Sequence, residues 1–336
     1  MLFSIIIPVY NRPDELNELL ESLAAQTEKD FEVVVVEDGS AVSSREVCQS
    51  WDNRLALRYF EKENGGPGPA RNFGARHAGG EYLLILDSDV VVPQNYLAAV
   101  REALEREDCD AFGGPDCAHA SFSPMQKAIN YAMTSFFTTG GIRGGKKKLD
   151  KFYPRSFNMG CKRSVYAALG GFAPMRFGED IDFSTRIFEN GYRSRLIPEA
   201  WVWHKRRTDL RKFFRQVHNS GIARIHLTHR HPGTLKAVHL LPAAFTLGAA
   251  LCLALGLGGV FFCPWALCLL APLLLFALLI FVDASRRERS LRVGLLAVAA
   301  AYVQLIGYGS GFLRAWWRSS VCKKGEFEAF KDTFYR

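Results

Sequence analysis

From residue 240 to residue 282 the chain carries no Asp, Glu, Lys or Arg. One bilayer crossing takes ~20 apolar residues as a helix. These 43 positions therefore hold two such helices, with a tight turn near Gly258, Gly259 and Pro264. A buried core helix fits poorly, because the run is too long. The feature divides the chain into an N-terminal globular part (1–230), a membrane region (231–313, with the hairpin at 240–282) and a basic C-terminal tail (314–336).

The net charge of +8 is not spread evenly. Residues 204–239 contain nine Lys or Arg against one Asp, directly before the first apolar run. Such clusters mark the cytoplasmic side and attract anionic headgroups. Arg286, Arg287 and Arg289 repeat the signal on the return side. The expectation is a multi-pass protein of the cell membrane with its globular part in the cytosol and membrane lipids as partners. No nucleic-acid-binding motif accompanies the charge, so no nucleic-acid partner is expected. A third apolar stretch, 293–313, contains Gln304 and several glycines, and fits either a span or an interfacial element. If it spans, the tail, with six Lys or Arg against three acidic residues, lies outside, against the positive-inside rule. The eight cysteines are scattered and form no C-x-x-C pair, which reads as reduced thiols. The apolar start "MLFSIIIPVY" is too short and lacks the basic residues of a signal peptide. "HLTHRH" (226–231) reads as part of a basic membrane-facing helix ahead of a histidine metal cluster.

The first 110 residues alternate strands and helices. "FSIIIPVYN", "FEVVVVEDGS", "LRYFEKEN" and "YLLILDSDVVV" read as strands. Leu16, Leu19, Leu20 and Leu23 recur at helical spacing after Pro13, and "NGGPGPARNFGARHAGG" is a glycine-rich turn leading into a helix. The pattern predicts an α/β fold with a mostly parallel sheet. Ligands of such sheets sit beyond the carboxyl ends of the strands. The polar groups there are Tyr10–Asn11, Glu37–Asp38 and Asp87–Asp89. Further on, "RSFNMGCKRSVYAALGGF" reads as strand then helix, "FGEDIDFSTRIFENGYR" as a helix opening near Glu179–Asp180, and "AWVWH" as a last strand. The glycine- and lysine-rich stretch 138–152 reads as a solvated loop or as a lid over an anionic ligand.

Driving two carboxylates to the end of a buried strand is costly unless a cation meets them. Asp87 and Asp89, one residue apart, would point to the same side of an extended chain. Oxygen donors on a sheet rim suit Mg²⁺ or Mn²⁺, which takes substrate phosphates as further ligands. A second acidic pair, Asp180 and Asp182, also fits a plain helix-dipole role.

Six motifs occur in order: "SIIIPVYNRPDEL", "VVVVEDGS", "GPARNFGA", "LLILDSDV", "FNMGCKRSVY" and "FGEDIDFSTRI". Together they resemble the family 2 glycosyltransferases, inverting enzymes of the Rossmann-like GT-A fold, over roughly residues 1–230. The resemblance implies transfer of a sugar from a nucleotide-diphosphate donor to a lipid, lipid-linked or glycan acceptor, with Mn²⁺ or Mg²⁺ as cofactor. Pro8, Val9 and Tyr10 would line the nucleotide pocket, Asp38 would accept from base or ribose, and Arg71 would lie near the nucleotide. Asp87 and Asp89 match the D-x-D motif, with Asp89 the more direct metal ligand. Asp180 matches the general base. His204 matches a position that in some members adds a metal or phosphate contact; its alternative is an ordinary interface histidine.

The sequence departs from the family in two places. The aspartate pair after the second strand is Glu37–Asp38 here, and "RQVHNSGIAR" stands where processive synthases carry Q-x-x-R-W. The second difference favours single-residue transfer. Three other readings compete. A polyprenyl-phosphate sugar synthase would use the lipid phosphate as acceptor. A non-catalytic membrane scaffold on the same fold is opposed by the intact Asp87, Asp89 and Asp180. A sugar-phosphate nucleotidyltransferase would want a glycine-rich basic loop after the first strand, and "PVYNRPDE" has no glycine.

Overall fold

The computed structural model describes residues 1–117, 122–140, 152–175 and 177–325. Most of the 138–152 stretch read above as a loop or lid lies outside these residues, as does the end of the tail. The strands are β1 (Phe3–Val9), β2 (Phe31–Asp38), β3 (Leu57–Lys62), β4 (Tyr82–Leu86), β5 (Val90–Val91), β6 (Ala111–Gly113), β7 (Asp116–Cys117), β8 (Asn158–Lys162), β9 (Ser194–Leu196) and β10 (Val202–His204). Seven of them form one sheet in the order β3-β2-β1-β4-β8-β6-β9, and β5-β10-β7 form a second. The β3, β2, β1 and β4 neighbours pair parallel, whereas β8 runs antiparallel to both β4 and β6. The predicted α/β class with a mostly parallel sheet is what the chain adopts.

Chemistry explains why β1 and β2 are central. "FSIIIPV" and "FEVVVVED" are apolar on both faces, and nearly every residue is buried. A strand covered by helices on both sides needs that composition. Glu32 is the exception inside β2. Its carboxylate is met by Ser4 Oγ at 2.6 Å, by the Gly79 N–H at 2.6 Å and by Arg58. The helix Pro13–Ala24 starts at its proline and buries Leu16, Leu19, Leu20 and Leu23 against one face, as their spacing predicts. The helix Glu179–Glu189 buries Phe183 and Ile187 on the other.

Among the described residues, those in 1–117 and 152–205 form one compact unit and those in 122–140 and 206–325 form a second. The sequence boundary at 230 and the structural one at 205–206 differ because the helix Leu210–Arg230 finds its packing partner in the C-terminal part. Among the described residues, the second unit contains three helices long and apolar enough to cross a membrane: Ala237–Gly259, Pro264–Glu288 and Leu291–Val321. Only residues 260–263 separate the first two. The third stretch, left open by the sequence, is a continuous helix from Leu291 to Trp316.

That last helix lies backbone to backbone with Leu210–Arg230. A Cβ on Gly221 would come within 2.1 Å of the Tyr308 carbonyl oxygen, and one on Gly311 within 2.0 Å of the His218 carbonyl oxygen. Small residues at such seams let helix axes approach, as in membrane helix pairs. His218 Nδ1 and Ser310 Oγ add a hydrogen bond at 3.1 Å. The helix Pro124–Thr134, opened by a Ser123–Gln126 capping box, also belongs to this unit. Its Ile129 and Ala132 pack with Ile280, Ala297 and Ala301.

Candidate active site

The carboxyl ends of β1, β2 and β4 deliver the predicted rim. Pro8 and Val9 end β1 opposite Val36 and Glu37 of β2. Tyr10 follows, and Asn11 takes a left-handed conformation (φ 53°), its Oδ1 accepting the N–H groups of Ala41 and Val42. Asp38, 2% exposed, is held by Lys62 Nζ at 2.6 Å and by the N–H groups of Gly65 (2.9 Å) and Gly66 (2.7 Å). It thereby fixes the turn that starts the helix Pro67–His77. Glu37 accepts from Ser40 Oγ and from the Ser44 N–H at 2.7 Å, anchoring the neighbouring loop.

Asp87 and Asp89 do converge, but not on an extended strand. The chain turns between β4 and β5, with the Val90 N–H donating to the Asp87 carbonyl at 3.2 Å. β4 and β5 belong to different sheets, so the D-x-D is the link between them. Across from it, β10 pairs antiparallel with β5, His204 beside Val90. Ligand atoms of Asp87, Asp89 and His204 all lie within 4.8 Å of one another. His204 Nε2 is 3.3 Å from Asp89 Oδ1, and its ring stacks on Phe157 at 4.8 Å between centroids. Its Nδ1 is buried with no hydrogen-bond partner among the described residues, 3.9 Å from Asp116 Oδ2. Burial opposes a charge on this imidazole, yet Asp116, Asp89 and Asp87 outweigh it and raise the pKa to about 9.

Two arginines complete the site. Arg12 Nη1 donates to Asp89 Oδ2. Arg71, 3% exposed, donates to Asp87 Oδ1 at 2.7 Å and to Glu179 Oε1 at 2.9 Å. Its own burial opposes its charge, but the two carboxylates more than restore it. Glu179 and Asp180 open their helix just after Gly178, whose φ of 84° turns the chain there. Asp180 is paired with Arg155 at 2.8 Å. Burial would raise its pKa, but Arg155 and Arg71 bring it below the ordinary range. Glu179 goes the other way: burial, reinforced by the adjacent Asp180, raises its pKa in spite of Arg71. Asp182 points elsewhere and pairs with Arg186 at 2.8 Å, four residues on.

Residues 4–170 match the sequence model of a family described as Glycosyl transferase family 2. Over these residues the chain belongs to glycosyl transferase family 2. The glycosyltransferase GlyG of Streptococcus pneumoniae is 34% identical over 116 residues, 34% of this chain and 38% of that protein. EpsJ of Bacillus subtilis, an uncharacterized glycosyltransferase, is 28% identical over 204 residues, 59% of each. The chain thus spans less than two thirds of these relatives. Among solved structures, the mannosyltransferase PcManGT of Pyrobaculum calidifontis, in complex with GDP-Man and Mn²⁺, superposes with a TM-score of 0.57 at 22% identity. It covers 93% of this chain and 86% of that one, and the likeness shows a shared fold.

The family 2 match contains Arg12, Asp38, Arg71, Asp87 and Asp89 but stops short of Glu179, Asp180 and His204. The structure brings these last three to the same rim. Arg12, Asp116, Arg155 and Phe157 were not singled out in the sequence, and Glu179 was read only as a helix start. Arg12 had a signal, since a cation directly after "PVYN" must sit on the rim where the carboxylates gather.

The donor set suits a divalent cation. Two carboxylates and one imidazole face one point, and Mn²⁺ and Mg²⁺ take oxygen donors, with imidazole better suited to the former. The negative surroundings that hold a proton on His204 would equally attract a metal ion, which competes for the same nitrogen.

Proposed function

We propose that the chain is a membrane-anchored inverting glycosyltransferase that moves a sugar from a nucleotide-diphosphate donor to a lipid or lipid-linked acceptor. The observation that carries this reading is the pairing of two carboxylate systems in a family 2 domain. Asp87 and Asp89 face His204, while Glu179 and Asp180 stand at a helix mouth tied to Asp87 through Arg71.

In this reading Asp87, Asp89 and His204 would hold Mn²⁺ or Mg²⁺. The ion would offset the charge that builds on the departing diphosphate. Pro8, Val9 and Tyr10 line the nucleotide side, and Asp38 shapes it through the Gly65–Gly66 turn. Arg12 holds Asp89 and Arg71 holds Asp87 in place. Asp180 accepts the acceptor hydroxyl's proton as the new C–O bond forms and the bond to the diphosphate breaks. Arg155 keeps that carboxylate deprotonated between turnovers. Three apolar helices and the basic 204–239 segment support a lipid acceptor on the cytosolic leaflet. A polyprenyl-phosphate acceptor is the second reading, supported by the same segment; its anionic oxygen would need no base.

The test is a screen of nucleotide sugars with the full chain in detergent, Mn²⁺ and total lipid extract. Release of nucleoside diphosphate is expected with one donor class. It should stop in excess chelator and in Asp89→Ala. Full activity in chelator removes the metal from the reading; no turnover with any donor removes transfer itself.

A further inference from the structure

The last apolar helix does not fit three crossings. If Ala237–Gly259, Pro264–Glu288 and Leu291–Val321 all spanned a bilayer, the chain before the first and the chain after the third would lie on opposite faces. The second unit packs them together. The helix Leu210–Arg230 runs along the second half of Leu291–Trp316. A Cβ on Gly307 would come within 2.5 Å of Val217 Cγ2, next to the Gly221–Tyr308 and Gly311–His218 approaches. Arg211, Lys212, Arg215 and Arg230 are exposed on Leu210–Arg230, and charge of that density stays out of hydrocarbon.

The first half of Leu291–Trp316 is covered in the same way. Ile129 and Ala132 of Pro124–Thr134 pack with Ala297 and Ala301. That covering helix has 11 residues, about half of the ~20 that a crossing takes. Its Asn130 Oδ1 accepts from Arg206 Nε at 3.1 Å and Nη2 at 3.0 Å, a polar pairing suited to water or headgroups. Both covering helices precede the first apolar helix in the chain. A spanning helix also turns one side to lipid, yet from Leu296 to Leu313 no residue is exposed.

The other two apolar helices differ. Gly256 and Gly259 meet Leu270 and Ala266, so the chain doubles back at 260–263. Along this arm Leu247, Leu251, Leu274 and Leu275 are exposed, and Phe262 and Trp265 at its tip are 93% and 79% exposed. So large a bare apolar surface marks an interaction site. Cations flank it at both ends, Lys236 before it and Arg286, Arg287 and Arg289 after it, as on a segment that enters and leaves by one face. We infer that the acyl chains of a bilayer are met by this arm (247–278) alone, while Leu291–Trp316 stays outside the hydrocarbon as the buried strut of its unit. The tail then lies on the same face as residues 204–239, and its six Lys or Arg against three acidic residues obey the positive-inside rule. The inference rests on the membrane anchoring proposed above and not on the transfer reaction.

Intact cells expressing the full chain, and inside-out vesicles made from them, are treated with a membrane-impermeant maleimide. Labelled cysteines are then quantified by peptide mass spectrometry. Cys322, exposed just past the strut, is read against Lys212→Cys on Leu210–Arg230 and against Cys263 at the tip of the arm. Lys212 is exposed, and an unchanged melting point confirms that its variant is folded. Cys322 and the thiol at position 212 should both label in the vesicles and neither in intact cells. Cys263 should stay unlabelled in the vesicles and react only after denaturation. Labelling of positions 212 and 322 in opposite preparations would overturn the strut and leave the anchoring intact. Labelling of Cys263 in the vesicles as fast as Cys322 would overturn the lipid assignment and give the arm to a protein surface. A chain recovered in the soluble fraction without detergent would remove the anchoring itself, whatever the transferase assay gives.

Discussion

Arg155 Nε donates to Asp180 Oδ2 at 2.8 Å, while the carboxylate's other oxygen accepts the Ile181 N–H at 2.8 Å. The pair holds an ionised carboxylate at the mouth of a helix, aimed by two fixed contacts. Asp180→Asn keeps volume and removes the proposed base. Donor binding, measured by calorimetry, should stay near the parent value. Turnover should fall by ~10²–10⁴, the usual cost of losing a general base. Asp182→Asn should be far milder in turnover, because Asp182 serves Arg186, which in turn holds the carbonyls of Leu169 and Gly171. If the two variants exchange behaviours, Asp182 is the base.

Arg71 stands between two carboxylates with almost no access to water. Arg71→Met would leave Asp87 and Glu179 partly buried without their shared cation. Removing one partner from such a buried cluster costs about 3–5 kcal/mol. A lowered thermal midpoint together with lost donor binding is the expected result. Arg71→Lys should recover stability only in part, because a lysine cannot reproduce a two-armed guanidinium. A stable, donor-binding Arg71→Met would show that the bridge is dispensable.

Glu32 makes the first unit sensitive to acid. Burial alone would raise its pKa, but Ser4, the Gly79 N–H and Arg58 together lower it below the ordinary 4.5. The folded-state value therefore lies under the unfolded one. Its contribution to stability is full above pH 4.5 and is lost as the pH falls through the folded value. Glu32→Gln should cost about 1–3 kcal/mol at neutral pH, where charged hydrogen bonds are lost. The gap between variant and parent should shrink as the pH drops below 4.5, as thermal melts across that range would show. A gap constant with pH would mean that Glu32 acts only by its shape.

Two glycine substitutions should separate the helix seam from the exposed apolar surface. Gly311→Val places carbon atoms inside the His218 backbone and should lower the melting point of the detergent-solubilised chain sharply. Gly248, in the first apolar helix, has nothing within 4 Å of a built Cβ. Gly248→Ala should be neutral or stabilise by up to ~1 kcal/mol, the difference in helix propensity. Equal melting points for both variants would deny the close approach.

Much of the fold was legible because it rests on local pattern. The apolar strands β1, β2 and β4, the leucine spacing of Pro13–Ala24 and the charge-free hairpin announce themselves within short windows. The short strands β5, β6, β7 and β9 carry two or three residues each, too few for any period to emerge. The D-x-D was recognised, but its turn was not, since alternation along a strand and a tight turn can both bring two aspartates together. Arg155 and Asp116 were invisible for a different reason. Each gains its meaning from a partner distant in sequence, and nothing near "YPRSF" or "GPDC" names that partner. The placement of Pro124–Thr134 with the apolar helices was equally hidden, because its buried face reads the same whether it covers a sheet or a helix.

The contact between Asp89 and His204 closes a long loop of chain, and the Lys205 N–H ties the same point by donating to the Asp89 carbonyl at 3.1 Å. Long-range pairings of this kind cost entropy before they return anything and so favour late formation. The central parallel strands can assemble from residues before 90, whereas the nitrogen donor arrives only when β10 docks on β5. A nascent chain that has not yet delivered residue 204 can carry the core of the sheet without the complete Asp87, Asp89 and His204 cluster. If Asp87, Asp89 and His204 hold a divalent ion as proposed, its capture would serve as a completion signal, stabilising only chains in which β10 is in place.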